Sequence, residues 1–117
     1  MNYRAVTPCE DRKCPAWLDT LNGKSGVYII RRKRDGKTLY VGESHTGRLR
    51  KTFMRHFYPW SGKTAGVYYV PKGIEAAIEI TTAARAVDRQ NELIKTLQPQ
   101  DNEISPLETA EREDEPF

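Results

Sequence analysis

Two apolar stretches separated by a few polar residues predict a β-hairpin. Residues 26–32 (Gly-Val-Tyr-Ile-Ile-Arg-Arg) and residues 38–42 (Thr-Leu-Tyr-Val-Gly) are rich in the β-branched and aromatic side chains that favour strands. Residues 34–36 (Arg-Asp-Gly) lie between them and are typical of a turn. We therefore expect the two strands to pair antiparallel.

A helical period replaces the strand pattern after the hairpin. Leu49, Phe53 and Phe57 recur every four residues, so they predict a helix with one buried stripe. Thr46 can cap this helix, which we expect to run to about Tyr58.

The remaining elements complete the expected fold. Residues 76–81 alternate well enough to predict a third strand, with Ile78 and Ile80 facing the core. Residues 82–97 predict the last helix, and residues 15–21 predict a short helix before the hairpin. The expected fold class is α+β: a small three-stranded antiparallel sheet flanked by helices in the order ββαβα, preceded by an N-terminal helix.

Length and composition restrict the chain to one small domain. Its 117 residues leave room for a single core. Charged residues make up 30% of the chain and the mean hydropathy is −0.73, values typical of soluble globular proteins. No apolar run approaches the roughly 18 residues that a membrane-spanning helix needs, and the N-terminus lacks the apolar core of a signal peptide. We therefore expect a soluble, cytoplasmic protein with no membrane partner.

Charge is divided unevenly along the chain. Residues 103–117 carry six acidic side chains and one basic side chain, whereas residues 1–102 carry 18 basic and 10 acidic side chains. The body is therefore +8 and the tail −5. A body this basic attracts polyanions such as nucleic acid, although a solvated basic surface without a ligand is the simpler alternative. We divide the chain into an N-terminal extension (1–25), a folded domain (26–102) and a disordered acidic tail (103–117).

Three short motifs in order resemble the GIY-YIG nuclease superfamily. They are residues 26–28 (Gly-Val-Tyr), residues 40–42 (Tyr-Val-Gly) and, after an arginine-bearing helix, residues 99–102 (Pro-Gln-Asp-Asn). Either tripeptide alone would be weak support, but both on adjacent strands make a specific match that covers residues 26–102. The resemblance implies cleavage of phosphodiester bonds in DNA with one divalent metal, usually Mg²⁺, with Mn²⁺ as the substitute.

The resemblance also implies roles for individual residues. In that family the first tyrosine helps to deprotonate the attacking water, an arginine contacts the scissile phosphate, and a glutamate on a later helix holds the metal. Carried onto this chain, the metal position is Gln90. The candidate catalytic residues are Tyr28, Tyr40, Arg48 and His56, and the candidate phosphate-binding residues are Gly42, Arg50, Arg55 and Asn102.

The length of the hairpin loop decides whether Tyr28 and Tyr40 can share a site. A two-residue turn would put the two rings on opposite faces of the sheet. A three-residue loop over residues 34–36, with Gly36 left-handed, would put both rings on one face. Tyr28 would then lie opposite Gly42, whose missing side chain would leave space for a phosphate. The alternative is that both tyrosines are sheet residues chosen for packing.

Two arginines compete for contact with the scissile phosphate. Counting residues from Gly42 favours Arg50. Helical geometry favours Arg48, because it shares a helix face with Arg55 while Arg50 points about 200° away. We take Arg48 first. On the same helix, His56 is either a proton carrier or a phosphate contact, or it makes only a structural hydrogen bond.

Position 90 departs from the family pattern. Gln90 lies on the predicted inward stripe of the last helix with Ala86, Val87 and Ile94, where a metal ligand would lie. A neutral amide attracts a hard cation much less than the family's glutamate does. Three interpretations remain open: an inactivating substitution, a metal held elsewhere, or a protein that binds without cutting.

Two functions of different classes follow from these patterns. The first is a metal-dependent DNA endonuclease, weakened or inactivated by Gln90, and the second is a non-catalytic nucleic-acid-binding module on the same fold. An interaction protein that uses exposed aromatic residues at Trp60, Tyr68 and Tyr69 has weaker support. Extended sequence recognition would require a homodimer or a separate DNA-targeting partner, since we expect no separate DNA-reading domain here.

Overall fold

The computed structural model describes residues 2–6, 16–57, 69 and 72–102. In chain order the elements are β1 (Arg4–Ala5), α1 (Ala16–Asp19), β2 (Gly26–Arg32), β3 (Thr38–Ser44), α2 (Leu49–Met54), β4 (Ile74–Ile80) and α3 (Ala83–Leu97). The fold class is α+β, as predicted, and from β2 onward the order is ββαβα. The predicted acidic tail over residues 103–117 lies outside the described residues.

The sheet has four antiparallel strands, one more than the three predicted. Their order is β1-β4-β2-β3. The additional strand is β1, in which Arg4 pairs with Ala76 and Ala5 pairs with Glu75. A strand of two residues carries no readable alternation, so its pairing depends on the exposed edge that β4 offers.

The register of the hairpin puts Tyr28 and Tyr40 on one face of the sheet. Tyr28 pairs with Gly42, and Ile30 pairs with Tyr40. Because side chains two positions apart on a strand share a face, the two rings are neighbours on that face. Gly36 has φ +68°, the left-handed conformation that was predicted for it.

The hairpin loop itself is longer than either of the two lengths considered from the sequence. The N–H of Arg32 donates to the carbonyl oxygen of Lys37 over 2.9 Å, so the loop comprises the four residues 33–36 rather than three. The pairing then shifts at Leu39, which has no partner residue on β2. This β-bulge restores the register that a three-residue loop would have given.

The sheet separates two hydrophobic clusters. On one face, side chains of β2 and β3 pack with those of α1 and α2; this cluster includes Leu18, Leu21, Tyr28, Ile30, Tyr40, Leu49, Phe53 and Phe57. On the other face, aliphatic side chains pack against α3; this cluster comprises Val27, Ile29, Val41, Ala77 and Leu93. Burying a large side chain of this kind contributes roughly 1.5–3 kcal/mol.

Helix α2 begins later than predicted. Gly47 has φ +74° and Arg48 has φ −118°, so neither residue continues a helix toward Thr46. Arg48 is the N-cap, and its main-chain N–H donates to Ser44 Oγ over 3.0 Å. Thr46 is therefore not the cap. The predicted stripe is confirmed, since Leu49, Phe53 and Phe57 are all buried.

Strand β4 begins two residues earlier than predicted, and only part of its predicted core face is buried. Ile78 is partly buried against the face that carries Tyr28, but Ile80 is 49% exposed. Ile80 is the last residue of the strand.

Helix α3 matches its predicted span to within one residue. Thr82 is its N-cap, and Gln98 ends it in the left-handed conformation. Ala86 and Gln90 are buried as predicted, whereas Val87 is 37% exposed. No helix among the described residues is long and apolar enough to cross a membrane.

Candidate active site

A buried hydrogen bond joins Tyr28 on β2 to His56, which follows α2. The Tyr28 hydroxyl oxygen and His56 Nε2 are 2.7 Å apart. Tyr28 is 1% exposed and His56 is 0% exposed. With the ring proton of His56 on Nδ1, the hydroxyl donates and Nε2 accepts. A buried polar pair of this kind is positioned by its own hydrogen bond as well as by packing.

Tyr40 completes a cluster of three rings from three elements. Its ring stacks on that of Tyr28 with centroids 6.3 Å apart and lies 4.5 Å from the His56 ring. Phe53 packs edge-on against Tyr28 at 5.4 Å and separates this cluster from α1. The structure therefore brings together three of the four candidate catalytic residues.

Gly42 lies directly under the ring of Tyr28. A Cβ built on Gly42 would overlap the ring and hydroxyl of Tyr28. The predicted space beside the hydroxyl is thus occupied by the tyrosine itself, because the ring leans across its cross-strand neighbour. Glycine at this position is required by that close approach.

The arginines of α2 point in different directions. Arg48 is exposed at the start of the helix, and Arg55 is buried next to His56. Arg50 points toward α1, where its guanidinium lies 3.9 Å from the carboxylate of Asp19. The roles of all three arginines in phosphate binding stay predictions.

Gln90 and Asn102 meet at the main chain of Val41, on the outer edge of β3. Gln90 Nε2 donates to the Val41 carbonyl oxygen over 3.4 Å. Asn102 Nδ2 donates to the same oxygen over 2.8 Å, and the Val41 N–H donates to Asn102 Oδ1 over 2.7 Å. Asn102 therefore replaces a neighbouring strand at this edge, and its phosphate binding stays a prediction.

The donor set around position 90 does not fit a magnesium ion. Gln90 is 9% exposed, but its amide is neutral and its nitrogen is directed at Val41. Asp88 and Glu92 are exposed on other sides of α3. Within the described ranges, no group of three or more His, Cys, Asp or Glu side chains could hold a metal ion. A hard cation prefers several charged oxygen ligands, which these residues do not supply.

Glu43 and His45 form a second polar pair that the motifs did not reveal. Both carboxylate oxygens of Glu43 lie 3.1 Å from His45 Nδ1. Glu43 is buried on the face that also carries Val41, opposite to that of Tyr28. Strand alternation counted from Gly42 would have predicted this face.

Tyr69 is a further member of the aromatic cluster. It was predicted among the exposed aromatic residues, but it is 9% exposed, and its ring lies 6.1 Å from that of His56. Burial and then a hydrogen bond to Asp101 raise the pKa of Tyr69 well above its usual value. The other two aromatic residues of that prediction, Trp60 and Tyr68, lie outside the described residues.

Two comparisons with known proteins find no relative. The chain matches no family model. A search of the curated proteins also finds no match. Functional inference therefore depends on the motifs, on the geometry of the aromatic cluster and on the charge of the chain.

Proposed function

We propose that this protein is a GIY-YIG-type endonuclease that cleaves phosphodiester bonds in DNA, with Tyr28 and His56 as its proton-transfer pair. The observation that carries the proposal is the 2.7 Å hydrogen bond between the Tyr28 hydroxyl and His56 Nε2. Tyr28 is the residue to which the motif resemblance assigns the activation of water. A hydrogen-bonded nitrogen base beside that hydroxyl is what such a role requires.

The pair solves a problem that tyrosine alone would have. A tyrosine hydroxyl has an ordinary pKa near 10, so at neutral pH it is a poor base. In the proposed step, the Tyr28 oxygen takes a proton from water while its own proton passes to His56 Nε2. The hydroxide attacks phosphorus, the bond to the leaving oxygen breaks, and that oxygen takes a proton from solvent.

The burial of the pair adds a condition to this proposal. Tyr28 is 1% exposed and Tyr40 is 3% exposed, so a phosphate cannot reach either hydroxyl in the conformation described. DNA binding must therefore expose the Tyr28 hydroxyl. Before DNA binds, the exclusion of water from the buried pair would strengthen the hydrogen bond between Tyr28 and His56.

Phosphate binding is assigned to the basic side chains near the start of α2. Arg48 is exposed there, whereas Arg55, at the other end of the helix, is buried. An arginine offers paired donors that match two phosphate oxygens. The excess of basic side chains in residues 1–102 supplies the non-specific attraction to DNA.

A second candidate is a nucleic-acid-binding module that does not cut. Gln90 favours it, because its neutral amide donates to Val41 and offers no negative charge to a cation. The metal that the resemblance implies, Mg²⁺ or Mn²⁺, has no fitting donor set among the described residues, and no step above is assigned to it. A cytoplasmic location and a homodimer or separate DNA-targeting partner belong to both proposals.

A nicking assay separates the two candidates. Supercoiled plasmid and single-stranded oligonucleotide are incubated with the chain, with Gln90→Glu and with Gln90→Glu/Tyr28→Phe, with Mg²⁺, Mn²⁺ or EDTA. The endonuclease predicts cleavage that is weak in the chain, strong in Gln90→Glu and lost without Tyr28. DNA binding with no cleavage by any variant would make the binding module the correct assignment.

A further inference from the structure

Tyr69 connects the end of α2 to the C-terminal segment (residues 100–102). Its main-chain N–H donates to the carbonyl oxygen of His56 over 2.6 Å. Its hydroxyl donates to Asp101 Oδ2 over 2.6 Å. Its ring also lies 6.2 Å from the ring of Phe57. Tyr69 thus contacts both His56, the candidate base, and the C-terminal segment that lies along β3.

The C-terminal segment is itself fastened to β3. The N–H of Asp101 donates to the carbonyl oxygen of Leu39 over 2.8 Å, and Asn102 bonds to both main-chain groups of Val41. Tyr40 lies between these two residues on the strand. The hydroxyl of Tyr69 is therefore tied, through Asp101, to the strand that carries the second tyrosine of the cluster.

The main-chain N–H of Tyr69 is the hydrogen-bond donor for the His56 carbonyl oxygen, which lies just after the end of α2. The last carbonyl groups of a helix find no N–H donor within the helix, so they need a donor from elsewhere. His56 lies in the turn after Met54, and Tyr69 supplies the donor for its carbonyl oxygen. This bond adds to the one that the His56 N–H donates to the carbonyl oxygen of Phe53 over 3.2 Å, so Tyr69 restrains the second main-chain polar group of His56.

We propose that Tyr69 is a positioning residue that holds the His56 imidazole in hydrogen-bonding contact with Tyr28, and that its bond to Asp101 is what keeps it in place. The effect of Tyr69 on cleavage rests on the proposed nuclease function. Its role in holding the His56 ring does not. The hydrogen bond to Asp101 fixes the Tyr69 hydroxyl and so restrains the ring and main chain of Tyr69. The Tyr69 N–H then holds the carbonyl oxygen of His56.

Three substitutions test the chain of contacts. Tyr69→Phe keeps the ring and the main-chain donor but removes the bond to Asp101. Asp101→Ala removes the same bond from the other side, whereas Asp101→Asn keeps an oxygen that can accept it. Tyr69→Phe and Asp101→Ala should therefore have the same effect, the double variant should be no worse than either, and Asp101→Asn should stay near the parent.

Histidine NMR supplies a measurement that does not depend on activity. The chain has two histidines, so ¹⁵N-histidine labelling gives one set of ring signals for His56 and one for His45, which serves as an internal reference. We expect the His56 signals to move toward tautomer averaging in Tyr69→Phe and Asp101→Ala, while those of His45 stay. Tyr3→Phe is the matched control, because Tyr3 packs under Arg31 on the other side of the sheet.

The results separate this proposal from the nuclease proposal. His56 signals that are unchanged in Tyr69→Phe, or that move equally in Tyr3→Phe, would overturn the positioning role. In the Gln90→Glu background, Tyr69→Phe should lower kcat by about 10- to 100-fold with KM nearly unchanged, since misplacement of a proton-transfer group affects the chemical step. If Gln90→Glu cuts no DNA at all, the nuclease proposal fails, and the NMR result still decides the role of Tyr69.

Discussion

The two faces of the sheet bury their side chains in different ways. On the α2 face, buried aromatic rings carry polar groups that bond to one another, as in the pair Tyr28 and His56. On the α3 face, the centre is aliphatic, the buried amide of Gln90 bonds to main chain at the strand edge, and the carboxylate of Glu43 bonds to His45. Aliphatic contacts tolerate small shifts, whereas a buried hydrogen bond is lost over a fraction of an ångström. The proposed proton-transfer pair therefore lies on the α2 face.

This contrast assigns different consequences to substitutions on the two faces. Changes on the α2 face should alter function or create steric overlap, because its groups are held by specific partners. Changes at the centre of the α3 face should alter stability in proportion to the apolar volume removed. A substitution of Gln90, at the edge of the α3 face, is expected to alter either function or stability.

The largest effect is expected from Gln90→Glu, which would add a charge at the edge of the α3 face. At an effective dielectric constant of about 20, a unit charge about 4 Å from a cation interacts by about 4 kcal/mol, or about three powers of ten. Cleavage of plasmid should rise by up to that factor, and only with divalent metal. The matched control is Gln90→Met, which removes the amide without adding charge.

A loss of stability without a gain in cleavage by Gln90→Glu would contradict a functional role for this position. Unchanged cleavage together with a lower free energy of unfolding would mean that an uncompensated carboxylate had been buried in an ordinary core. The metal assignment would then be wrong, and the binding module would be favoured.

The next effect is expected from Tyr28→Phe in the Gln90→Glu background. Loss of the hydroxyl removes the proton-transfer pair, so cleavage should fall by about 100-fold or more in a nicking assay. His56 Nε2 loses its partner, which should lower the free energy of unfolding by about 1–3 kcal/mol without loss of the fold. Tyr3→Phe is the control, and equal activity of the two variants would remove Tyr28 from the mechanism.

A smaller effect, on stability, is expected from Gly42→Ala. The added methyl group overlaps the ring of Tyr28, so urea denaturation should show a loss of about 1–3 kcal/mol. Gly42→Ala combined with Tyr28→Ala should be less harmful than the sum of the two single changes, because the overlap is then relieved. If the stability losses of the two single variants simply add in the double variant, the close approach of the Tyr28 ring is not the reason that position 42 requires glycine.

The smallest effect is expected at the centre of the α3 face. Ile29→Val removes one methylene group from a buried aliphatic site and should lower the free energy of unfolding by about 0.5–1.5 kcal/mol. Cleavage and the His56 NMR signals should not change. A change in either would mean that the two faces are more tightly coupled than their separate clusters indicate.

Local patterns predicted much of the fold correctly. The hairpin, the third strand, the last helix and the buried stripe Leu49, Phe53 and Phe57 are all present, because strand and helix periods depend on residues close in the chain. The pairing of Tyr28 with Gly42 is the one that the three-residue alternative gave. The loop has four residues rather than two or three, and the bulge at Leu39 produces the register of the three-residue alternative.

Other features had no local signal. The two residues of β1 form a strand only because β4 offers them an edge, and α2 starts at Leu49 because Gly47 is left-handed. Ile80 alternates as a core residue would, yet it is 49% exposed. Each of these outcomes depends on what lies beside the segment in the folded protein.

The candidate site shows the same division. Sequence alone named Tyr28, Tyr40 and His56 as candidates, since motif order is a property of neighbouring residues, but it left open whether the two tyrosines share a face. Only the tertiary structure decided that His56 meets the Tyr28 hydroxyl, that Tyr69 is bonded to Asp101, and that Asn102 closes the edge at Val41. These partners are separated by 28, 32 and 61 positions, and contacts over such separations are set by how whole elements pack, which no local period encodes.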